Sequence, residues 1–132
     1  DKYSSTPSGN LANYYAGLSY LYTGEYENAI KYLKKFSSDD LLMNNMAIAN
    51  IGDAYMQLGD YKKASEYYTK AAATKTNEFS TPIFLMKSGM AAEKAGDFKS
   101  ALNSYEQIER EYPNSPEARD IEKYIERTQL KK

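Results

Sequence analysis

The chain has no cysteine and no histidine among its 132 residues. Their absence excludes thiolate and imidazole metal sites, cysteine nucleophiles and the commonest general base of enzymes. Absence of cysteine suits an oxidising compartment without requiring one. Long apolar runs are missing too: none approaches the roughly 18–20 residues that span a bilayer, so no membrane insertion is expected of this stretch. Charge of one sign is also lacking. The net charge is −1, and the 17 basic residues are scattered with no run longer than a pair. Nothing here draws nucleic acid or an anionic membrane surface. The glycines are isolated, which excludes a phosphate-cradling loop. Asp39 and Asp40 are adjacent carboxylates, but no third ligand follows at useful spacing, and capping a helix is the commoner use of such a pair. No metal, cofactor or catalytic residue is therefore expected, and the chain is read as a non-enzyme.

What is present is a phrase stated three times. Gly24-Glu-Tyr26-Glu-Asn-Ala29, Gly59-Asp-Tyr61-Lys-Lys-Ala64 and Gly96-Asp-Phe98-Lys-Ser-Ala101 each read glycine, acid, aromatic, two polar residues, alanine. Glycine ends a helix in the left-handed conformation at little cost, and an acid then opens the next helix as its N-cap or in its first turn. The aromatic and the alanine three residues on share one face of that second helix. Each phrase is a helix–turn–helix corner.

Between the corners the apolar spacing is helical throughout. Residues 1–8 read as a flexible lead-in, with Ser8 capping a first helix from about Gly9 to Thr23. Helices follow from about Glu25 to Ser37, Leu41 to Leu58 and Asp60 to Thr74. Thr81 and Pro82 form a cap and first-turn proline for a fifth, which runs to about Ala95. A sixth spans about Asp97 to Tyr112, and Ser115-Pro116 restarts a last helix from Pro116 to about Leu130. That last helix has one apolar side and one charged side, Arg119, Glu122, Lys123, Glu126 and Arg127, as the end of a helical stack requires. The first helix carries apolar residues over more than one stripe and expects neighbours on two sides.

The corner glycines set a period: 35 residues from Gly24 to Gly59 and 37 from Gly59 to Gly96. Ile48, Ile51-Gly52, Tyr55, Ala64 and Tyr68 occupy the spacing of the tetratricopeptide repeat, whose period is about 34 residues. Asn13, Ala16-Gly17, Tyr20, Ala29 and Leu33 form a second copy, and Leu85, Ser88-Gly89, Ala92, Ala101, Tyr105 and Pro113 a third. The chain thus resembles the tetratricopeptide repeat family. The resemblance implies an all-α, right-handed superhelical solenoid of about seven antiparallel helices. It places one domain over residues 9–132, with repeats at about 10–43, 45–78 and 82–115 and a capping helix at 116–130. Small residues at 17, 52 and 89, met by Ala29, Ala64 and Ala101, are expected to let paired helices approach closely.

A narrower similarity rests on Gly9-Asn-Leu-Ala-Asn-Tyr-Tyr-Ala-Gly17, Tyr112-Pro-Asn-Ser-Pro-Glu-Ala118 and Asp120-Ile-Glu-Lys-Tyr-Ile-Glu-Arg127. These segments are similar to membrane-anchored ancillary Sec-translocon subunits of bacteria. That similarity implies a periplasmic chaperone or assembly scaffold, anchored through a segment ahead of Asp1; the alternative setting is cytoplasmic.

In the family the first helix of each repeat lines a concave groove that binds a protein or peptide. Carried over by repeat position, the groove residues are Tyr14, Leu18 and Tyr22, then Met46, Asn50, Asp53 and Met56, then Ile83, Met86, Lys87 and Met90. Methionine is unbranched and polarisable, so such a lining adapts to varied apolar segments. The competing reading makes these residues core, more so for Met46 and Met56. Tyr14→Glu and Met86→Glu are expected to weaken capture and leave helicity intact. The variant of the fold that grips a terminal carboxylate needs polar donors where this chain has Tyr14, Leu18 and Ile83; only Asn50 and Lys87 fit. A cytosolic heat-shock co-chaperone is accordingly disfavoured. The alternative function is homo-oligomerisation, through pairing of the apolar first helix, or a structural scaffold domain of a larger tetratricopeptide lipoprotein.

Overall fold

A glycine at the end of a helix releases the chain only if its φ is positive, and all three corner glycines comply. In the computed structural model, which describes residues 7–131, Gly24, Gly59 and Gly96 have φ of 83°, 80° and 80°. At Gly59 the backbone N–H donates to the Met56 carbonyl at 3.1 Å, and that of Asp60 to the Tyr55 carbonyl at 3.0 Å. Gly96 and Asp97 repeat the pair onto Glu93 and Ala92, and Gly24 and Glu25 onto Leu21 and Tyr20. Each corner thereby satisfies carbonyls that a helix end leaves open. Asp60 and Asp97 then cap the following helices, accepting from the N–H groups of Lys63 at 3.2 Å and Ser100 at 3.1 Å. Glu25 holds the same position without capping; its longer side chain accepts from Thr23 and Asn28 instead.

The helices are α1 (Pro7–Tyr22), α2 (Tyr26–Lys35), α3 (Leu41–Leu58), α4 (Tyr61–Thr74), α5 (Ser80–Ala95), α6 (Phe98–Glu111) and α7 (Ile121–Gln129). They are the α-helices among the described residues, where no strand occurs. Packing joins each helix chiefly to its neighbours in the chain, as in a stack of helical hairpins.

Three local expectations are corrected. α1 already includes Pro7, so Ser8 lies inside the helix instead of capping it; residues 1–6 of the lead-in fall outside the described residues. α5 starts at Ser80, before the expected Thr81 cap. Asn77 organises that entry: its Oδ1 accepts from the N–H groups of Phe79 at 2.9 Å and Ser80 at 2.6 Å, while Thr81 Oγ1 accepts from Asn77 N–H at 2.8 Å. The last segment opens as a 3₁₀ turn over Pro116–Asp120, with Ser115 capping it as expected, and becomes α-helical only from Ile121.

Within each hairpin one contact recurs. A Cβ built on Gly17 would lie 2.6 Å from Leu33 Cγ, on Gly52 2.8 Å from Tyr68 Cε1, and on Gly89 2.4 Å from Tyr105 Cε1. Glycine is required at these three places because a large side chain from the second helix fills the Cβ position. The large side chains Leu33, Tyr68 and Tyr105, and not the alanines expected at the crossing, meet these glycines; Ala29, Ala64 and Ala101 are fully buried elsewhere in the core. The core runs through all three hairpins and ends on Ile121 of α7.

Candidate functional site: a groove across the first helices

The first helices of the three pairs, α1, α3 and α5, share one face, and their side chains border a cavity of ≈ 560 Å³. Leu21, Met56 and Met90 give it an apolar lining, with Tyr26 and Tyr68 reaching in from α2 and α4. Asp53 and Lys87 face each other across it at 3.2 Å, and Gln57 and Lys94 border it as well.

The position of the charged pair follows from Tyr68. Its ring covers Gly52 and is almost wholly buried, so its hydroxyl needs an acceptor within the fold. Asp53 supplies it at 2.5 Å while also accepting from Lys87. Burial and the adjacent Asp53 carboxylate push the Tyr68 phenol far above the ordinary tyrosine range. Lys87 Nζ also sits 5.5 Å from the centre of the Tyr68 ring. Asp53 is therefore engaged by two partners and acts as an anchor for the groove wall.

The third repeat solves the same problem differently. Tyr105 covers Gly89 and donates to Glu93 at 2.6 Å. Glu93 in turn accepts from Arg127 Nη2 at 2.5 Å and Lys131 Nζ at 3.4 Å. Arg127, expected on the wet side of the last helix, thus ties α7 across α5. Burial alone would raise the Glu93 carboxyl, but the bonds from Arg127 and Tyr105 outweigh it and hold the group below the usual carboxylate range.

Models of the tetratricopeptide repeat match residues 11–39, 47–77 and 84–115. The chain belongs to the tetratricopeptide repeat family. No curated protein matches it. Tetratricopeptide repeats generally mediate protein–protein interaction and are generally not enzymes. Among the described residues there is no group of three or more acidic, cysteine or histidine side chains able to hold a metal, and no helix long and apolar enough to cross a membrane.

Ten of the eleven expected groove residues divide into three groups on this tetratricopeptide scaffold. Asp53, Met56, Lys87 and Met90 meet in the cavity. Leu18, Ile83 and Met86 are half-buried and pack against the core, and Asn50 is half-buried beside the Tyr14 hydroxyl. Tyr22 and Met46 are exposed and lie outside the cavity; Met46, read as the more core-like, is on the surface.

Tyr14 is the clear correction. It is 7% exposed, its ring centre lies 4.9 Å from that of Phe36, and it belongs to the core. Burial raises its phenol above the ordinary range. Glutamate at 14 would bury a carboxylate and damage the fold, so that position cannot report on capture. Leu21, Tyr26, Gln57, Tyr68 and Lys94 complete the lining without having been among the expected groove residues. Leu21 was findable from register: it lies four residues after Gly17, as Met56 lies four after Gly52.

Proposed function

We propose that this groove binds a polypeptide segment through an apolar side chain. The observation that carries the reading is the ≈ 560 Å³ cavity, where Leu21, Met56 and Met90 present apolar surface beside Lys87 and Lys94. Two methionines let the floor adapt to different side chains. Peptides selected against the domain from a random display library provide the test. Met90→Glu places a charge in the lining at an exposed position and is expected to weaken the selected peptides by about tenfold or more, with the circular dichroism of the domain unchanged. Peptides that bind the variant equally well would sink the groove as the binding surface.

The setting we propose is the bacterial envelope, with the module acting as a chaperone or assembly scaffold tethered to the membrane. Its support is the similarity of residues 9–17 and 112–127 to translocon-associated subunits. Fractionation of cells expressing the full-length protein tests it, and recovery in the cytosol would overturn it.

A second reading, self-association, is favoured by α1. Leu11, Tyr15 and Tyr22 all remain exposed, at 38%, 60% and 84%, and helical spacing puts them along one stripe. Tyr15→Glu is expected to convert any dimer to monomer in light scattering while preserving helicity. An unchanged molecular mass for a dimeric parent would exclude α1 as the contact.

A further inference from the structure

Tyrosine rings and lysines gather along one flank of the stack. Tyr20 stacks on Tyr32 in the first repeat and Tyr55 on Tyr67 in the second, each pair with ring centres 5.4 Å apart and planes at 27°. The two pairs are 35 residues apart, the repeat period, so they occupy the same flank in successive repeats. Four lysines lie over them. Lys31 and Lys35 are 5.8 Å and 5.1 Å from the centre of the Tyr32 ring. Lys34 is 5.8 Å from both rings of the second pair and donates to Tyr55 Oη at 3.4 Å, and Lys63 is 5.4 Å from the Tyr55 ring. Lys34 starts in the first repeat and ends on the second, so the two clusters form one surface.

Charge is shared unevenly among the second helices of the repeats. α2 and α4 carry six lysines against Glu27 and Glu66, and no arginine. α6 carries Lys99 and Arg110 against Glu106, Glu109 and Glu111, and its repeat has Ala92 and Ser104 in place of the stacked rings. None of the six lysines forms an ion pair among the described residues; the pairs there join Asp53 to Lys87, Glu93 to Arg127 and Lys131, and Glu111 to Arg110. Lys31 and Lys35 stand one helical turn apart over a single ring and repel each other. The fold leaves this charge unneutralised and holds it in place, because an ammonium over a ring is attracted to the negative face of the ring.

We propose that this flank of α2 and α4 is the docking surface for an acidic polypeptide segment, whose carboxylates meet Lys31, Lys34, Lys35 and Lys63. Charge complementarity selects the occupant. Other polyanions fit less well. The rings are already faced by one another and by lysines, which leaves a nucleic acid base little to stack on, and there is no arginine to fork onto a phosphate. None of the large exposed apolar side chains among the described residues lies on α2 or α4, so a lipid surface would gain no apolar contact. The flank shares no residue with the groove across α1, α3 and α5, so the two surfaces are tested separately.

The experiment titrates the domain into a fluorescein-labelled glutamate decapeptide and follows anisotropy, with oligothymidylate and phosphatidylserine vesicles as competitors. Binding that weakens as salt rises is expected. Lys31→Glu combined with Lys34→Glu is expected to weaken it about tenfold or more. Lys99→Glu combined with Lys123→Glu makes the same change of charge on α6 and α7, and is expected to alter it by less than about twofold. Tyr32→Leu keeps every charge but removes the ring beneath Lys31 and Lys35, for an expected loss of about two- to fivefold. Circular dichroism checks that each variant is folded. Absence of binding by the parent would overturn the proposal. So would equal losses in the two double variants, an unchanged affinity in a folded Tyr32→Leu, or displacement of the peptide by oligothymidylate or vesicles at equal charge.

Discussion

Replacing Tyr105 with alanine is expected to cost about 3–5 kcal/mol of folding stability, the largest effect of any single substitution considered for this chain. Tyr105 is completely buried, covers Gly89 so closely that no Cβ fits beneath it, and tilts against Tyr124 at 5.6 Å. Truncation opens a cavity between α5 and α6 at the point where α7 docks. Tyr105→Phe keeps the ring and removes only the hydroxyl bonded to Glu93, for an expected loss of about 1.5–3 kcal/mol. Urea unfolding followed by circular dichroism gives both values. The ring's fit against glycine has its own signature. Gly89→Ala is expected to destabilise the parent by about 1–3 kcal/mol through overpacking, but far less in the Tyr105→Ala background, where the added methyl enters the vacated space. Additive losses in that cycle would mean that Gly89 is needed for some reason other than the Tyr105 ring.

The second large effect is expected at Glu93. Its side chain is only 8% exposed and gathers the Tyr105 hydroxyl, Arg127 and Lys131. Glu93→Ala strands the Tyr105 hydroxyl and releases both cations, with an expected cost of about 2–3 kcal/mol. The same carboxylate predicts how the parent responds to acid. A carboxyl held below its unfolded value of about 4.3 contributes stability that is present above that pH and disappears as pH falls through the lower folded value. Urea midpoints of the parent should therefore drop between about pH 5 and pH 3 by more than those of Glu93→Gln, in which position 93 does not titrate. Parallel pH profiles for the two proteins would show that acid acts elsewhere.

The corners and the positions of the three helix-crossing glycines were legible in the sequence because each is stated three times. The partners of those glycines were not, since Ala29, Ala64 and Ala101 were expected against them. Gly24, Gly59 and Gly96 turn the chain with positive φ, and Gly17, Gly52 and Gly89 receive Leu33, Tyr68 and Tyr105. The groove was legible only in part. Helical spacing tells which residues share a stripe, but the first helices are apolar around much of their circumference, so spacing alone does not say which stripe faces out. Tyr14 and Tyr15 are adjacent, and one is core while the other is 60% exposed. The Arg127–Glu93 bond was not legible, because no local pattern joins residues 34 apart on α5 and α7.

One regularity was in the sequence and needed the structure to give it meaning. Asp53 and Met56 stand one and four residues after Gly52; after Gly89 the order is reversed, to Met90 and Glu93. Either site brings a carboxylate within reach of the tyrosine that covers the glycine. In the first repeat Leu33 replaces that tyrosine, and Leu18 and Leu21 occupy both sites. The acid is present where a buried hydroxyl needs an acceptor and absent where none does.

The stack is also directional. Among the described residues α7 exposes Glu122, Lys123 and Glu126, while α1 exposes Leu11, Tyr15 and Tyr22. An apolar α1 face and a charged α7 face do not match each other, so the self-association proposed above would set α1 against α1, and a like-with-like contact of that kind closes at two copies.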